Sequence, residues 1–456
     1  MANQVRKNPL RHIHYGGSLL SREFLRGTSA QKRRFLSRIT RRILHKFRLH
    51  NIHFFLFSLA CYITVRDDQR YWLWGIRGLD NQNELKSWIK DREQPHILVM
   101  GWGSVGDVLQ ITPLLRALRQ KMPKAKIVLL HRSPAASAVL AGNPNLDGIA
   151  TADFHQFETL KHSVKVEGIA DLVVEIPSMS FVVRYTRAPQ DKRHPLFDEA
   201  MPETFFETAE NVRTHWNAPR GYQNESGKFT WPEEWAHFQY LDVLGMTGNL
   251  PIHAQSHLDF YTKPSDDAIL KDLPKGKRII TVQAGVDEDV ANWARVTGQR
   301  PTKLLPLITW ADAVWRLKEK NFALVQIGTL DDTPIEGVDL DLRGKTTLGE
   351  VAVILKNAYA HLGIEGGLVH LARAMQTKSV VVFGPTSHAF LGYPQNINLT
   401  VGDCNGCWGA TKDWYIYCAR GLREPECMNA YRAETLVNAV RELEATGQAK
   451  QASANS

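Results

Sequence analysis

The 456-residue chain lacks any run of the roughly 18 apolar residues that a membrane-spanning helix needs. Its longest apolar run, IHFFLFSLACYITV at residues 52–65, is fourteen residues long and carries His53, Ser58 and Thr64, which suits a buried or interfacial segment. The opening MANQVRKNPLRHIHYGGSLL has neither the apolar core nor the cleavage site of a secretory signal, so a cytoplasmic location is expected. Acidic residues are almost missing from residues 22–48, where ten lysines and arginines face one glutamate. That local +9 equals the formal charge of the whole chain, so the remainder is close to neutral. No recognised nucleic-acid module accompanies the basic run, and no nucleic-acid partner is expected. With 43% hydrophobic and 23% charged residues, the chain is neither disordered nor fibrous and has material for two or three domains.

Inside the basic run, Leu36, Ile39, Ile43 and Phe47 recur at helical spacing beside Arg34, Arg38, Arg41, Arg42 and Lys46. Such a helix suits peripheral contact with an anionic membrane, packing on its own protein, or a homo-oligomer contact. Residues 1–92 read as a basic N-terminal arm. After Pro95 the pattern alternates between strand and helix: strands at 96–100, 126–130 and 171–176, with a helix over 106–121. Residues 185–250 are more polar and irregular, and YTRAPQDKRHPLFDEAMPETFFETAENVRTHW reads as a helical insertion. A second series has strands at 278–285, 322–328 and 379–384 and helices near 309–320, 347–358 and 367–375. This is an α/β chain with two Rossmann-like βαβ halves in tandem, 93–265 and 266–446, and a cleft between them is the natural ligand site. The polar, small-residue end at 447–456 is expected to be a disordered tail.

The first turn, HILVMGWGSVGD, supports two chemistries. Gly101, Gly103 and Gly106 have the G-x-G-x-x-G spacing of a dinucleotide site, and His131-Arg132 would then face an NADP phosphate, making the chain an NAD(P)-dependent oxidoreductase. Alternatively the turn formed by Gly103, Ser104 and Gly106 presents Asp107 as a base for an incoming hydroxyl. In the second half, GIEGGLVHLARA puts Glu365, Gly366, Gly367 and His370 at a strand-to-helix corner with free N–H groups for phosphate or ribose, though a tight packing turn would look the same. Gly384-Pro385-Thr386 forms another turn at the same sheet edge. Four of the five cysteines form the array Cys404, Cys407, Cys418 and Cys427, spaced C-x2-C-x10-C-x8-C, with Cys61 apart. In a cytoplasmic chain this array suits a closed, structural site for zinc or iron; reduced structural thiols and disulfides are the other readings.

Taken in order, Gly-Asp followed by VLQITPLLRAL, then RGKTTLGEVAVILKNA, EGGLVHLARA and FGPT, the chain resembles the heptosyltransferases of glycosyltransferase family nine over about residues 95–440. The resemblance implies a GT-B fold, two Rossmann-like domains facing across a cleft, and transfer of heptose from ADP-heptose with inversion, without a catalytic metal. The acceptor implied is a lipopolysaccharide-type glycan, or serines of an autotransporter protein as in some relatives. Asp107 then falls where the family has its general base. Glu365-Gly366-Gly367 and His370 fall on the family's donor motif, with glutamate in place of aspartate. Lys303, with Arg295 as rival, would neutralise the departing diphosphate, while Gln283, Gly285 and Thr386 would line the donor. The cysteine array at 404–427 resembles the iron finger of autotransporter heptosyltransferases. A non-enzymatic sugar-nucleotide-binding or assembly protein is the reading outside the enzymes.

Overall fold

The computed structural model describes residues 93–101, 103–131, 135–151, 170–176, 183–215, 222–223, 229–230, 238–286, 300–402, 404–411 and 414–454. The basic arm with its apolar stripe, Cys61, Arg132 and Arg295 lie outside the described residues.

The first half is built on a five-stranded sheet. Strands β1 (His96–Gly101), β2 (Lys126–His131), β3 (Gly148–Thr151) and β4 (Leu172–Glu175) run parallel, and β5 (Arg184–Arg187) closes the edge antiparallel to β4, in the order β3-β2-β1-β4-β5. Its central strands are buried on both faces, as continuous apolar runs such as HILVM and KIVLL require. Helices α1 (Val105–Gln110), α2 (Thr112–Lys121), α3 (Ala135–Val139), α4 (Pro195–Ala200), α5 (Glu203–His215) and α6 (Tyr240–Met246) complete this half, with a hairpin of β6 (Tyr222–Gln223) and β7 (Phe229–Thr230). The helix read over 106–121 is therefore two. Pro113 has no N–H for the carbonyl of Leu109, and the Thr112 hydroxyl takes that carbonyl instead at 2.8 Å. The stretch read as a helical insertion starts with strand β5, because Tyr185 and Thr186 pair in register with Val174 and Val173.

The second half carries a six-stranded parallel sheet, β10-β9-β8-β11-β12-β13, made of β8 (Arg278–Gln283), β9 (Phe322–Gln326), β10 (Leu340–Asp341), β11 (Ala360–Ile364), β12 (Ser379–Val382) and β13 (Ile397–Leu399). Helices α7 (Leu307–Glu319), α8 (Leu348–Asn357), α9 (Gly367–Ala374), α10 (His388–Leu391), α11 (Glu426–Asn429) and α12 (Ala433–Ala454) accompany it. α8 starts at Thr347, whose hydroxyl and Glu350 form a reciprocal capping box. α12 runs through most of the segment read as a disordered tail, since Ala, Gln and Lys at 445–452 are strong helix formers. Strand periodicity divides the core: Ile280, Val282, Leu324 and Leu362 face Trp310 and Leu436, while Ile279, Ala323 and Val325 join the core that continues into the first half.

The connecting chain ties the halves together. Asp259 receives Arg116 of α2 at 2.5 Å and donates its N–H to the Thr112 hydroxyl at 2.9 Å. Arg373 of α9 reaches the carbonyl of Gln255 at 2.5 Å, and Tyr240 of α6 meets Phe390 of α10 edge-on at 5.9 Å. Mid-sheet, His361 is fully buried, with Nδ1 3.0 Å from the hydroxyl of Thr281. Burial pushes its imidazole down to about 4. The folded state therefore holds His361 neutral where the unfolded chain would protonate it, so its stabilising contribution is complete above about pH 6.5 and is lost as the pH falls toward 4. Urea melts across this range should show up to about 3 kcal/mol less stability at the acid end, and His361→Gln should flatten the slope.

Candidate active site

At the end of β1 the chain turns so sharply that Gly103 has φ +111°, and a Cβ on it would stand 2.3 Å from the carboxyl carbon of Asp107. Only glycine fits there. Asp107 is the third residue of α1 and folds back on the helix start, where Oδ2 accepts from Ser104 N–H at 2.7 Å and from Ser104 Oγ at 3.2 Å. Both residues are exposed. A carboxylate thus already occupies N–H donors that a dinucleotide pyrophosphate would need and repels a second anion, which argues against the oxidoreductase reading.

α1 then meets α9 of the other half. A Cβ on Gly106 would lie 2.6 Å from His370 Cδ2 and 3.2 Å from Gly367 Cα, and one on Gly367 would lie 3.5 Å from the backbone nitrogen of Gly106. Two sequence-predicted turns, far apart in the chain, therefore touch at their glycines. The contact brings Asp107 close enough for its charge to act on His370 and on the buried Tyr240.

Beneath α9 a buried carboxylate pairs with a partly buried lysine. Lys303 Nζ sits 2.5 Å from Glu365 Oε2 and 3.3 Å from the Glu365 carbonyl, while His370 Nε2 stands 3.9 Å from Glu365 Oε1. Burial pushes the Glu365 carboxyl up, but the charges of Lys303 and His370 and hydrogen bonds from Lys303 and Thr386 outweigh it and hold it below its ordinary value. Burial pushes His370 down against the pull of Glu365 and Asp107, with Lys303 adding to the depression. Glutamate, one methylene longer than the family's usual aspartate, is here engaged with the lysine. Lys303 is positioned from behind: Thr302 bonds Tyr415 O through its N–H at 3.3 Å and Trp414 O through its hydroxyl at 2.9 Å, and the ammonium lies 5.9 Å from the centre of the Trp414 ring.

Asp107, Lys303, Glu365, Gly366, Gly367, His370 and Thr386 thus converge. Gln283 does not join them, because its amide is spent on Gly285 O at 2.6 Å and on Asp332 Oδ2 at 3.4 Å. Asp332 is a buried carboxylate that sequence reading missed; a Cβ on Gly285 or Gly328 would strike it at 1.9 and 2.1 Å. Burial raises its carboxyl above the ordinary value, opposed by hydrogen bonds from Thr329 and Gln283 and by Arg343. The only local signal was a pair of glycines ending neighbouring strands.

Residues 251–407, which include Lys303, Glu365, His370 and Thr386, match the sequence model of glycosyltransferase family 9 (heptosyltransferase). Over these residues the chain carries a glycosyltransferase family 9 domain. Solved structures similar to this chain include a glycosyl transferase family 9 protein from Veillonella parvula, at 16% identity and TM-score 0.48 over 76% of this chain and 97% of that one. They also include the ADP-heptose lps heptosyltransferase II of E. coli, at 15% identity and TM-score 0.49 over 77% and 99% of the two chains. A third is the iron-containing dodecameric glycosyltransferase TibC from enterotoxigenic E. coli, at 14% identity and TM-score 0.48 over 77% and 78%. No curated protein matches the chain.

The cysteine array is built on the Gly384-Pro385-Thr386 turn. Gly406 N–H donates to Gly384 O at 3.0 Å and Trp408 N–H to Pro385 O at 2.8 Å. A Cβ on Gly384 would meet Met428 Sδ at 2.4 Å and Cys427 Sγ at 3.3 Å. Cys404, Cys407, Cys418 and Cys427 are all free thiols. A hydrogen bond from the Cys427 thiol, then Arg420, draws Cys404 down to about 6, and the same bond with burial pushes Cys427 up. Burial, with the charges of Cys418 and Cys404, raises Cys407 to about 12. Among the described residues no set of three or more His, Cys, Asp or Glu side chains stands ready-arranged around a metal position. No helix among them is long and apolar enough to cross a membrane.

Gly285→Ala should destabilise the second half by about 1–3 kcal/mol, because the new methyl overlaps the Asp332 carboxylate. Asp332→Ala in the same chain should recover part of that loss, so thermal melts of the double variant should show less than the sum of the single losses.

Proposed function

We propose that this family 9 glycosyltransferase transfers heptose from ADP-heptose to a hydroxyl of a lipopolysaccharide-type glycan, inverting the anomeric carbon. The observation that carries the reading is the seat of α1 on α9 at Gly106 and Gly367, which gathers a carboxylate, an imidazole and a partly buried cation at one junction between the halves. The heptose and the ADP come from the family resemblance; the roles below come from the geometry that fits them.

Asp107 keeps Oδ2 on Ser104, and Oδ1 takes the proton of the acceptor hydroxyl. The freed oxygen attacks the anomeric carbon from the face opposite the nucleotide, forming the new glycosidic bond as the bond to the diphosphate oxygen breaks. The leaving diphosphate gathers charge, which Lys303 and the N–H groups opening α9 at Gly366 and Gly367 offset. The ground there is open, since a Cβ on Gly366 would meet nothing nearer than 3.9 Å. Glu365 holds the lysine until the diphosphate arrives and balances the charge of its buried head. Thr386 stands beside Glu365, while Gln283 and Gly285 act as a second rank by shaping the loop at the end of β8. An NAD(P) site has no support in this arrangement.

The four cysteines suit a thiolate site for structural zinc or iron: Cys404, Cys407 and Cys418 come from one loop and Cys427 from the helix α11 that follows it, the Cys404 and Cys427 thiols are hydrogen-bonded, and Cys407 and Cys418 lie within electrostatic reach of Cys427. When bound, the ion would brace Trp414 and Tyr415, which hold Thr302 next to Lys303. We place the reaction in the cytoplasm with the basic run at 22–48 as a peripheral contact to anionic lipid, and assign any self-association to the same arm.

Asp107→Asn should lower kcat by about 10²–10⁴-fold with ADP-heptose while leaving ADP affinity intact; a fully active variant would remove Asp107 from the reaction. Metal analysis of protein purified without chelator should find one zinc or iron per chain, lost together with thermal stability in Cys407→Ser. A metal-free wild type of full stability would refute the site.

A further inference from the structure

α9 carries the donor corner at its first turn and Arg373 in its last. The guanidinium of Arg373 is held on every side. Nη2 donates to Gln255 O at 2.5 Å and to Ser256 O at 3.2 Å. Nη1 and Nε donate to the side-chain oxygen of Gln395 at 2.8 and 2.9 Å, the amide orientation that satisfies both groups. The centre of the Tyr393 ring lies 5.7 Å from the guanidinium carbon.

The segment that Arg373 grips belongs to the first half. Before it, Ala254 N–H donates to the Asp242 carboxylate of α6 at 2.8 Å, and the backbone packs so closely that a Cβ on Gly245 would stand 2.0 Å from Ile252 O. After it, Arg116 of α2 donates to His257 O at 2.8 Å and to the Asp259 carboxylate at 2.5 Å, while the Thr112 hydroxyl accepts from Asp259 N–H at 2.9 Å. The chain then joins the second half at Asp266, against which a Cβ on Gly349 of α8 would overlap at 2.2 Å. Residues 250–259 therefore travel with the first half and Arg373 with the second. Tyr261 and Thr262, between the two sets of ties, are exposed.

We infer that Arg373 is a positioning residue for the transfer reaction: it clamps the connecting segment to α9 and so fixes the spacing between the donor corner and the Asp107 helix. The inference rests on the reading that Asp107 and the donor corner face each other across the reaction. α9 meets the first half at two places, with His370 against Gly106 and Arg373 against Gln255 and Ser256. A helix held at one point can pivot about it. Arg373 lies six residues beyond Gly367, about 9 Å along the axis, and a second hold at that distance removes the pivot. The halves then part only when the arginine lets go, turning about Tyr261 and Thr262. A displacement of about 1 Å at the reacting atoms can cost about a hundredfold in rate, so the clamp is felt there without touching them.

Arg373→Met keeps the length of the stem and removes every donor. With ADP-heptose, kcat should fall about tenfold to a hundredfold, while the melting temperature and the affinity for ADP, which the second half supplies alone, stay nearly unchanged. Arg373→Lys, able to hold one carbonyl at a time, should recover part of the loss. Gln395→Leu leaves the arginine but removes the acceptor that orients it, and should give a smaller fall. Wild-type kcat in Arg373→Met would overturn the inference. So would a loss of ADP affinity that matches the loss of kcat, since the arginine would then belong to the donor site. The spacing of the halves is read separately by energy transfer between dyes on ketone-bearing residues introduced at the exposed positions Lys124 and Lys356, one in each half. With no donor present, the distance distribution should broaden in Arg373→Met and narrow again in Arg373→Lys. That broadening supports the clamp even where ADP-heptose proves not to be the donor. An unchanged distribution overturns it whatever the donor.

Discussion

Where α1 crosses α9, Gly106 lets two helix starts approach more closely than a side chain at that position would allow. A Cβ at Gly106 would collide with His370, while one at Gly367 would sit in ordinary contact with the backbone of Gly106. The gathering of the proposed site depends on that approach. The Asp107 carboxylate owes its place to Gly103 and Ser104 on one side of the contact, and the imidazole of His370 owes its place to the first turn of α9 on the other. A larger residue at Gly106 would push α1 and α9 apart at this contact.

Behind the contact, charge and aromatic packing work in series. The Lys303–Glu365 pair joins a buried carboxylate to a partly exposed ammonium, and such a pair adds little to stability; the larger cost falls on the buried carboxylate if it is left alone. Such a pair holds a cation ready without fixing it permanently. Its scaffold is a run of rings from the first half to the cysteine loop: Tyr240, Phe390, Trp408, Trp414 and Tyr415, each edge-on or tilted to the next at 5.8 to 6.2 Å. The same loop grips Thr302 through the carbonyls of Trp414 and Tyr415. The loop that carries three of the four thiols is therefore mechanically connected to Lys303.

Much of this was legible in the linear sequence. Apolar runs such as HILVM, KIVLL and RIITV are too continuous for one-sided strands, and each became a strand of a parallel sheet. Misreadings came from local rules that compete. Pro113 split a periodic helix because the period of hydrophobicity says nothing about a missing N–H. The small polar residues after 446 resemble a tail by composition, but their helix propensity let α12 continue to Ala454. Arg184–Arg187 looked irregular because an edge strand has one exposed side and little alternation to display.

The sequence alone determined the two βαβ halves, the turn that presents Asp107, the corner at Glu365–His370 and the cysteine spacing, since each is written in neighbouring residues. Lys303 was found by position relative to its strand. Only the tertiary structure decided that Lys303 pairs with Glu365, that Gln283 turns away toward a buried Asp332, and that the Tyr393 hydroxyl meets His370. These partners lie tens of residues apart. Their contacts depend on helix approach distances and shared burial, which local patterns of polarity and spacing do not encode.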